Sequence, residues 1–193
     1  AALPQRYTIG PTWLVPALEG AMIVGLSVTA PRRHPEEAVA LRIAAICLIG
    51  LVSVTNFFAL GLLIYRLLQG AQAQGSNLIF AALQMWLTNV IVFGLWFWEL
   101  DRGGPGGRSG GDGPTDFLFP QMTSPELAPA AWEPRFLDYL YVSFTNVVAF
   151  SPTDTMPLGR GVKALMALQS GVALWTIGLV IARAVNVLNV AHH

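Results

Sequence analysis

The chain has 193 residues, of which 54% are hydrophobic and only 11% are charged, against roughly 25% charged in an average soluble domain. Its 11 basic and 11 acidic residues give a net charge of zero. Because the basic residues are scattered, the sequence argues against a nucleic-acid partner. A soluble helical protein would show a polar face every 3.6 residues, and residues 43–53 show none. The composition therefore predicts an all-α integral membrane protein.

Four apolar stretches account for most of the hydrophobic residues. A helix needs about 20 such residues to cross a bilayer, and the first stretch is only marginally long enough. Glu19 is the one charged residue in that stretch, and the other three stretches contain none. We therefore predict four transmembrane helices. They cover residues 14–30, 43–65, 78–98 and 164–182.

The third stretch is followed by a glycine-rich segment that reads ELDRGGPGGRSGGDGPTD. Seven glycines and two prolines within residues 103–114 predict a flexible surface loop with no regular element. We expect order to return at FLFPQM, residues 117–122. The sequence AAWEPRF then indicates the entry into a short helix.

That short helix, about residues 135–146, is too short to span a membrane. Two interpretations remain open from its own sequence. It lies flat in the interface with Asp138 in water, or it dips into the bilayer as a re-entrant helix. The following residues 147–154, VVAFSPTD, are predicted to be non-helical around Pro152. Irregular backbone at membrane depth is tolerated only against protein or a water-filled cavity, which favours the re-entrant helix.

The order of these elements resembles the pore module of two-helix potassium channels, with ELDRGGPGG as the turret and PLGRGVKAL leading into the inner helix. The chain is more closely similar to an uncharacterised family of bacterial membrane proteins with no established activity. That resemblance covers about residues 86–188 and is clearest over residues 138–187, which begin with the motif DYLYVSFTNVVAFSPTDT. In that motif the pairs Phe144-Thr145 and Asp154-Thr155, together with Phe150, occupy recurring family positions. The resemblance implies a homotetramer around a central axis in the bacterial inner membrane.

The chemistry of the loop differs from a potassium filter, which is a row of backbone carbonyls facing the pore axis. Such a row needs glycine conformations that residues with a Cβ avoid. Alignment of the filter on residues 145–151 places Val148 and Phe150 where glycines belong, and residues 143–158 contain no glycine. Selectivity would rest on side chains, or Phe150 would plug the axis. The candidate pore residues are Thr145, Asn146, Phe150, Ser151, Thr153 and Asp154.

Asp154 has two interpretations that stay open at this point. In the channels that the chain resembles, an acidic residue at this place lies at the outer mouth, where four carboxylates would attract cations and repel anions. Alternatively, Asp154 forms a structural ion pair, and Arg160 is the nearest cationic candidate in sequence.

A second set of polar residues lies within or at the ends of the predicted spans. An ionisable residue inside a membrane is a functional hypothesis by default. The start of the first span, the end of the second, the start of the third and the end of the fourth must share one face. We therefore predict that Glu19 contacts an arginine of this layer directly or through Gln84. The layer either fixes helix packing or takes part in ion gating or proton relay. Its members are Glu19, Arg66, Gln84 and Arg183.

No pair of cysteines, histidine ligand pair, phosphate-binding loop or nucleophile elbow occurs, so we predict neither an enzyme nor a cofactor. The predicted function is a pore-loop ion channel or channel-like protein that is not potassium-selective, with monovalent ions as possible ligands. The alternative is a non-conducting structural subunit of a larger membrane complex. The chain is predicted to divide into two peripheral helices, residues 1–76, and a channel-like module, residues 77–193. The module comprises an outer helix (77–100), the glycine-rich loop (101–134), the re-entrant helix and its loop (135–159) and the inner helix (160–190).

Overall fold

The computed structural model describes residues 35–68, 75–108, 114–151 and 154–190. Of the described residues 79% are helical, which confirms the all-α class. The helices are α1 Pro35–Leu68, α2 Gly75–Leu100, α3 Pro105–Arg108, α4 Pro120–Thr123, α5 Phe136–Ala149 and α6 Arg160–Val190, with 3-10 turns at Asp101–Gly103 and Pro125–Leu127. The strands are β1 Phe117–Leu118 and β2 Met156–Pro157.

Helices occur where the second, third and fourth apolar stretches predicted them, as α1, α2 and α6. The first predicted span, residues 14–30, lies outside the described residues. Within the described ranges, one helix is long and apolar enough to cross a membrane by length and composition, namely α1 through Arg42–Leu62, with a mean hydropathy of 2.3. The arrangement with four spans therefore stays a prediction.

Helix α2 is the centre of the packing, because it contacts α1, α5 and α6. Its C-terminal half is buried on nearly every side, with Leu95 and Phe97 fully enclosed. Phe117 of β1 packs edge-on against Phe97, with ring centroids 5.3 Å apart, and against Tyr139 of α5 at 5.9 Å. This aromatic cluster attaches the segment after the glycine-rich loop to both helices.

Helix α5 is amphipathic and starts directly after Pro134 and Arg135, as the sequence predicted for the short helix. Its first turn is stabilised by Asp138, whose carboxylate accepts a hydrogen bond from the Arg135 backbone N–H at 2.7 Å. Buried residues then recur at helical spacing, at Tyr139, Val142, Ser143 and Asn146. This periodicity places one face of α5 against its neighbours and leaves the other face open.

The helix continues through Ala149, so the prediction of non-helical backbone is wrong for Val147 to Ala149. The physical reason is burial. Val147 is fully enclosed and packs with Val90 of α2 and Ala173 of α6, and this contact extends the helix by another turn.

The glycine-rich segment also has more structure than its composition predicts. A four-residue helix, α3, follows the 3-10 turn, so the expectation of no regular element is wrong for this part. Arg108 stabilises this part of the segment, because its guanidinium donates hydrogen bonds to the carbonyl oxygens of Trp98 at 2.6 Å and Asp101 at 3.2 Å. These carbonyls lie at the C-terminal end of α2, where helical acceptors lack intrahelical partners. Gly104 makes the turn possible, with φ 86° and ψ −173°.

The predicted return of order at Phe117 is confirmed, and it takes the form of a strand that the sequence did not predict. Strand β1 pairs antiparallel with β2, with Phe117 opposite Pro157 and Leu118 opposite Met156. The Leu158 N–H also donates to the Asp116 carbonyl at 2.7 Å. The pairing ties the chain after the glycine-rich loop to the connection between α5 and α6.

Helices α2 and α5 approach each other closely at Gly94, and this contact yields a first prediction. A Cβ on Gly94 would lie 3.2 Å from the Leu140 Cα atom, which is backbone and cannot rotate away. Overpacking of this kind costs about 1–3 kcal/mol, against a gain in helix propensity of about 1 kcal/mol. We expect Gly94→Ala to lower the thermal unfolding midpoint in detergent. Gly50→Ala on α1 is the matched control, since nothing lies within 4 Å of its Cβ position. Equal midpoints for the two variants would contradict this packing.

Candidate functional site

The polar residues of α5 take part in a buried hydrogen-bond network that joins three helices. Ser143 Oγ donates to the Val90 carbonyl of α2 at 2.6 Å. Asn146 Nδ2 donates to the Met166 carbonyl of α6 at 3.0 Å and to Gln169 Oε1 at 2.8 Å. Gln169 Nε2 in turn donates to Ser143 Oγ at 2.6 Å. The network fixes the rotation of α5 between α2 and α6.

Thr145 and Asn146, two of the predicted pore residues, therefore face the interior of their own chain. Asn146 is 3% exposed and bonds to α6 as described. The Thr145 hydroxyl lies within 3.0 Å of two acceptors in its own helix, the carbonyls of Tyr141 and Val142. Both side chains are thus engaged in intrachain hydrogen bonds, in helical backbone rather than in an extended filter.

Phe150 ends α5 in a left-handed conformation, with φ 51° and ψ 29°. Glycine usually occupies such a position after a helix, and a residue with a Cβ pays roughly 1–2 kcal/mol there. The ring is half exposed, at 51%. Phe150 thus adopts one glycine-like conformation, but it is a single residue at a helix end and follows a regular turn. A row of successive left-handed residues does not form at residues 147–150.

The remaining candidate pore residues lie in the connection to α6. Ser151 is half-buried, Thr153 lies outside the described residues, and Asp154 is exposed. The Asp154 Oδ1 atom accepts a hydrogen bond from the Thr155 hydroxyl at 3.5 Å. The exposed carboxylate lies next to β2, so strand pairing holds this part of the connection in place.

The predicted polar layer is described at one position only. Gln84 is a half-buried residue of α2. Glu19 and the side chains of Arg66 and Arg183 lie outside the described parts of the chain. The predicted contact of Glu19 therefore stays a prediction.

A second polar cluster, which the sequence analysis missed, lies at the C-terminal end of α2 and is centred on Asp101. This carboxylate is fully buried and accepts from the Tyr139 hydroxyl at 2.5 Å. Its other oxygen accepts from the backbone N–H groups of Asp116 at 2.8 Å and Phe117 at 3.3 Å. The Thr115 hydroxyl lies 3.4 Å from the same oxygen and donates to the nearer Phe117 carbonyl at 2.7 Å. The Asp101 carboxylate therefore connects the C-terminal end of α2 to α5 and to the strand β1.

Arg108 completes this cluster on the side of α3. Its guanidinium carbon lies 5.1 Å from the ring centroid of Tyr139 and 5.8 Å from that of Trp98, which are distances for cation–π contacts. Burial lowers the pKa of Arg108, whereas the nearby Tyr139, Asp101 and Glu99 act in the opposite direction. An arginine remains protonated at neutral pH despite such a shift. The cation therefore balances the buried carboxylates at this end of α2.

Glu99 and Arg42 add a further pair of charged groups beside the same turn. Glu99 is fully buried, and Arg42 belongs to α1. Both approach Gly104, where a Cβ would lie 3.1 Å from Glu99 Oε2 and 3.3 Å from Arg42 Nε. The absence of a side chain at Gly104 leaves room for both charged groups beside this turn.

The sequence held only a partial signal for these residues. Gln169 is a polar residue in the middle of the last apolar stretch, which marks it as a candidate for an interhelical hydrogen bond. Asp101 lies three residues after the end of the third apolar stretch, which is also the ordinary place for a solvated charge. Its partners Tyr139 and Asp116 are distant in sequence, so only the fold reveals the cluster.

Comparisons of the chain with protein-family models, with curated proteins and with solved structures find no match.

Proposed function

We propose that this chain is a channel-like integral membrane protein in which α2, α5 and α6 form a pore-type module and α5 is the re-entrant helix. The observation that carries the proposal is the set of buried bonds from α5 to both long helices. Ser143 and Asn146 donate to the backbone carbonyls of Val90 and Met166. A helix that lies flat in the interface has water for its polar groups, whereas a helix inside a membrane must satisfy them within the protein.

The exposure of α1 supports a membrane environment. Only 17% of its apolar window is buried, although the core helix of a soluble protein is mostly buried. Large apolar side chains such as Leu51, Val54 and Phe58 are 63%, 67% and 64% exposed. Exposed apolar surface on this scale is explained by contact with lipid or with another membrane helix.

The outer face of α5 supports assembly into an oligomer, which the family resemblance implies to be a homotetramer. Most of its exposed residues are large and apolar, and Leu137 and Val148 are 72% and 54% exposed. In such an assembly four copies of the connection between α5 and α6 surround the axis. Each copy contributes the exposed carboxylate of Asp154. Selectivity then comes from side chains, without a preference for potassium over sodium.

A specific observation favours the second candidate function, a non-conducting structural subunit of a larger membrane complex. The side chains of Thr145 and Asn146 form hydrogen bonds within the chain, so these polar groups do not face a pore. Under this alternative α5 is a packing element, and Asp154 is a surface charge.

Ion flux into reconstituted vesicles tests the proposal and separates the two functions. We expect cation flux with similar permeability for potassium and sodium and little for chloride. Asp154→Asn should reduce the preference for cations over chloride, because an exposed negative charge near the pore mouth would be lost. Glu126→Gln is the control, since Glu126 is an exposed acidic residue of the preceding loop.

Three outcomes would count against parts of the proposal. Strong selectivity for potassium would overturn the argument from the glycine-free loop. Absence of flux for every ion would favour the structural subunit. An unchanged cation preference in Asp154→Asn would exclude Asp154 as the charge at the mouth.

A further inference from the structure

A small cavity lies between α1, α2 and α6. It measures about 10 Å³, counted as the space open to the centre of a water-sized sphere. Three of its lining residues are polar, namely Ser53 and Asn56 of α1 and Asn89 of α2. The rest of the wall is apolar and includes Phe57, Phe93 and Val172. The cavity is thus a polar spot in an otherwise apolar contact between helices.

Asn89 contains an unsatisfied acceptor at this place. The side chain is 2% exposed, and its Nδ2 faces the Gln169 carbonyl of α6 at 3.5 Å. Its Oδ1 atom is buried and has no hydrogen-bond partner in the described part of the chain. A buried amide oxygen without a donor costs about 1–3 kcal/mol, so native structures rarely leave one unsatisfied.

The groups across the cavity can supply the complementary bonds. Ser53 Oγ donates to the Ile49 carbonyl at 2.7 Å and accepts from Trp96 Nε1 at 3.0 Å, which leaves an acceptor site on the hydroxyl. Asn56 lies one helical turn beyond Ser53 and has both donors and an acceptor. Together these side chains offer the two to four polar partners that a buried water molecule needs.

From the cavity and the unsatisfied Asn89 oxygen we infer that one structural water molecule binds here and bridges α1 to α2. The water donates to Asn89 Oδ1 and bonds to the Asn56 side chain on the other helix, with Ser53 Oγ as a further acceptor. The cavity has room for a water molecule, because about 10 Å³ of it is open to the centre of a water-sized sphere. A hard metal cation takes about six or more oxygen ligands, whereas three uncharged residues provide the polar side chains here.

The bridge has a consequence for the attachment of α1 to the rest of the fold. Beside the bond from Trp96 to Ser53, it supplies a second polar contact between the peripheral helix and α2. The two asparagines belong to the pairs Thr55-Asn56 and Thr88-Asn89, so both pairs place an asparagine at the same contact. The inference does not depend on whether the protein conducts ions.

The direct test is a structure of the purified full chain at a resolution that orders water molecules, for the wild type and for Asn89→Leu. We expect a single peak within hydrogen-bonding distance of Asn89 Oδ1 in the wild type. The leucine variant should lack the peak, because its apolar side chain removes the acceptor and fills the space. An empty cavity in the wild type would overturn the inference. Asn56→Leu is the second variant, which leaves the contact from Asn89 to Gln169 intact and should also lose the peak.

Thermal midpoints in sodium, potassium and choline chloride at equal ionic strength distinguish water from a cation. A bound water predicts the same midpoint in the three salts. A rise in one salt only, abolished by Asn89→Leu, identifies a bound cation and overturns the inference. The double variant of Asn56→Leu and Asn89→Leu should lose less stability than the sum of the single variants, because either change already displaces the shared water. Additive losses would contradict the bridge.

Discussion

Replacing Asp101 by alanine is expected to cause one of the two largest losses of stability among the single substitutions considered for this protein. The carboxylate is fully buried and accepts three hydrogen bonds, from the Tyr139 hydroxyl at 2.5 Å and from the backbone N–H groups of Asp116 and Phe117. Alanine leaves these three donors without an acceptor and removes one of the two buried carboxylates beside Arg108. We expect the free energy of unfolding to fall by about 3–5 kcal/mol. For a chain of this size the thermal midpoint then falls on the order of 10 °C.

Graded variants make this prediction specific to the carboxylate. Asp101→Asn keeps the shape and one acceptor oxygen and should lose less stability than alanine. Tyr139→Phe removes a single donor and should lose about 1–3 kcal/mol. Glu126→Ala is the control for removal of an exposed carboxylate from the same loop region, and its effect should be close to zero. A loss for Asp101→Ala no greater than that for Glu126→Ala would contradict the buried cluster.

Gln169→Leu is the second large expected effect, because this one side chain connects α6 to two positions of α5. Its Nε2 donates to Ser143 Oγ at 2.6 Å and to the Ser143 carbonyl at 3.2 Å, and its Oε1 accepts from Asn146 at 2.8 Å. Interhelical hydrogen bonds in membranes are worth about 0.6 kcal/mol each. Three lost bonds therefore predict a loss of about 2 kcal/mol in the free energy of unfolding.

A double-mutant cycle isolates the network from a general effect on packing. Gln169→Leu combined with Ser143→Ala should show a coupling of about 0.5–3 kcal/mol, because the two residues share hydrogen bonds. Gln169→Leu combined with Thr123→Ala should be additive, since Thr123 is an exposed residue of α4 that bonds within its own turn. Equal behaviour of the two cycles, measured as unfolding in detergent, would refute the network.

The helices are the part of this protein that the sequence determined by itself. The start of α5 after the Pro134-Arg135 pair and the span of α6 from Arg160 follow from local signals. Helical hydrogen bonds join residues four apart, so apolar stretches, prolines and glycines near one another in sequence are enough to predict them. The resemblance to a channel filter gave Thr145 and Asn146 as candidate pore residues, and it did not indicate their contacts within the chain.

The tertiary structure decided which polar groups meet. Asp101 and Tyr139 are 38 positions apart, Ser143 and Val90 are 53 apart, and Asn89 and Gln169 are 80 apart. The periodicity of apolar residues in the sequence does not predict such pairings, because the packing of the helices determines which partner lies near a buried polar group. Packing also extended α5 to Ala149, over a segment that was predicted to be irregular. Burial of the Val147 side chain between α2 and α6 stabilises the additional helical turn.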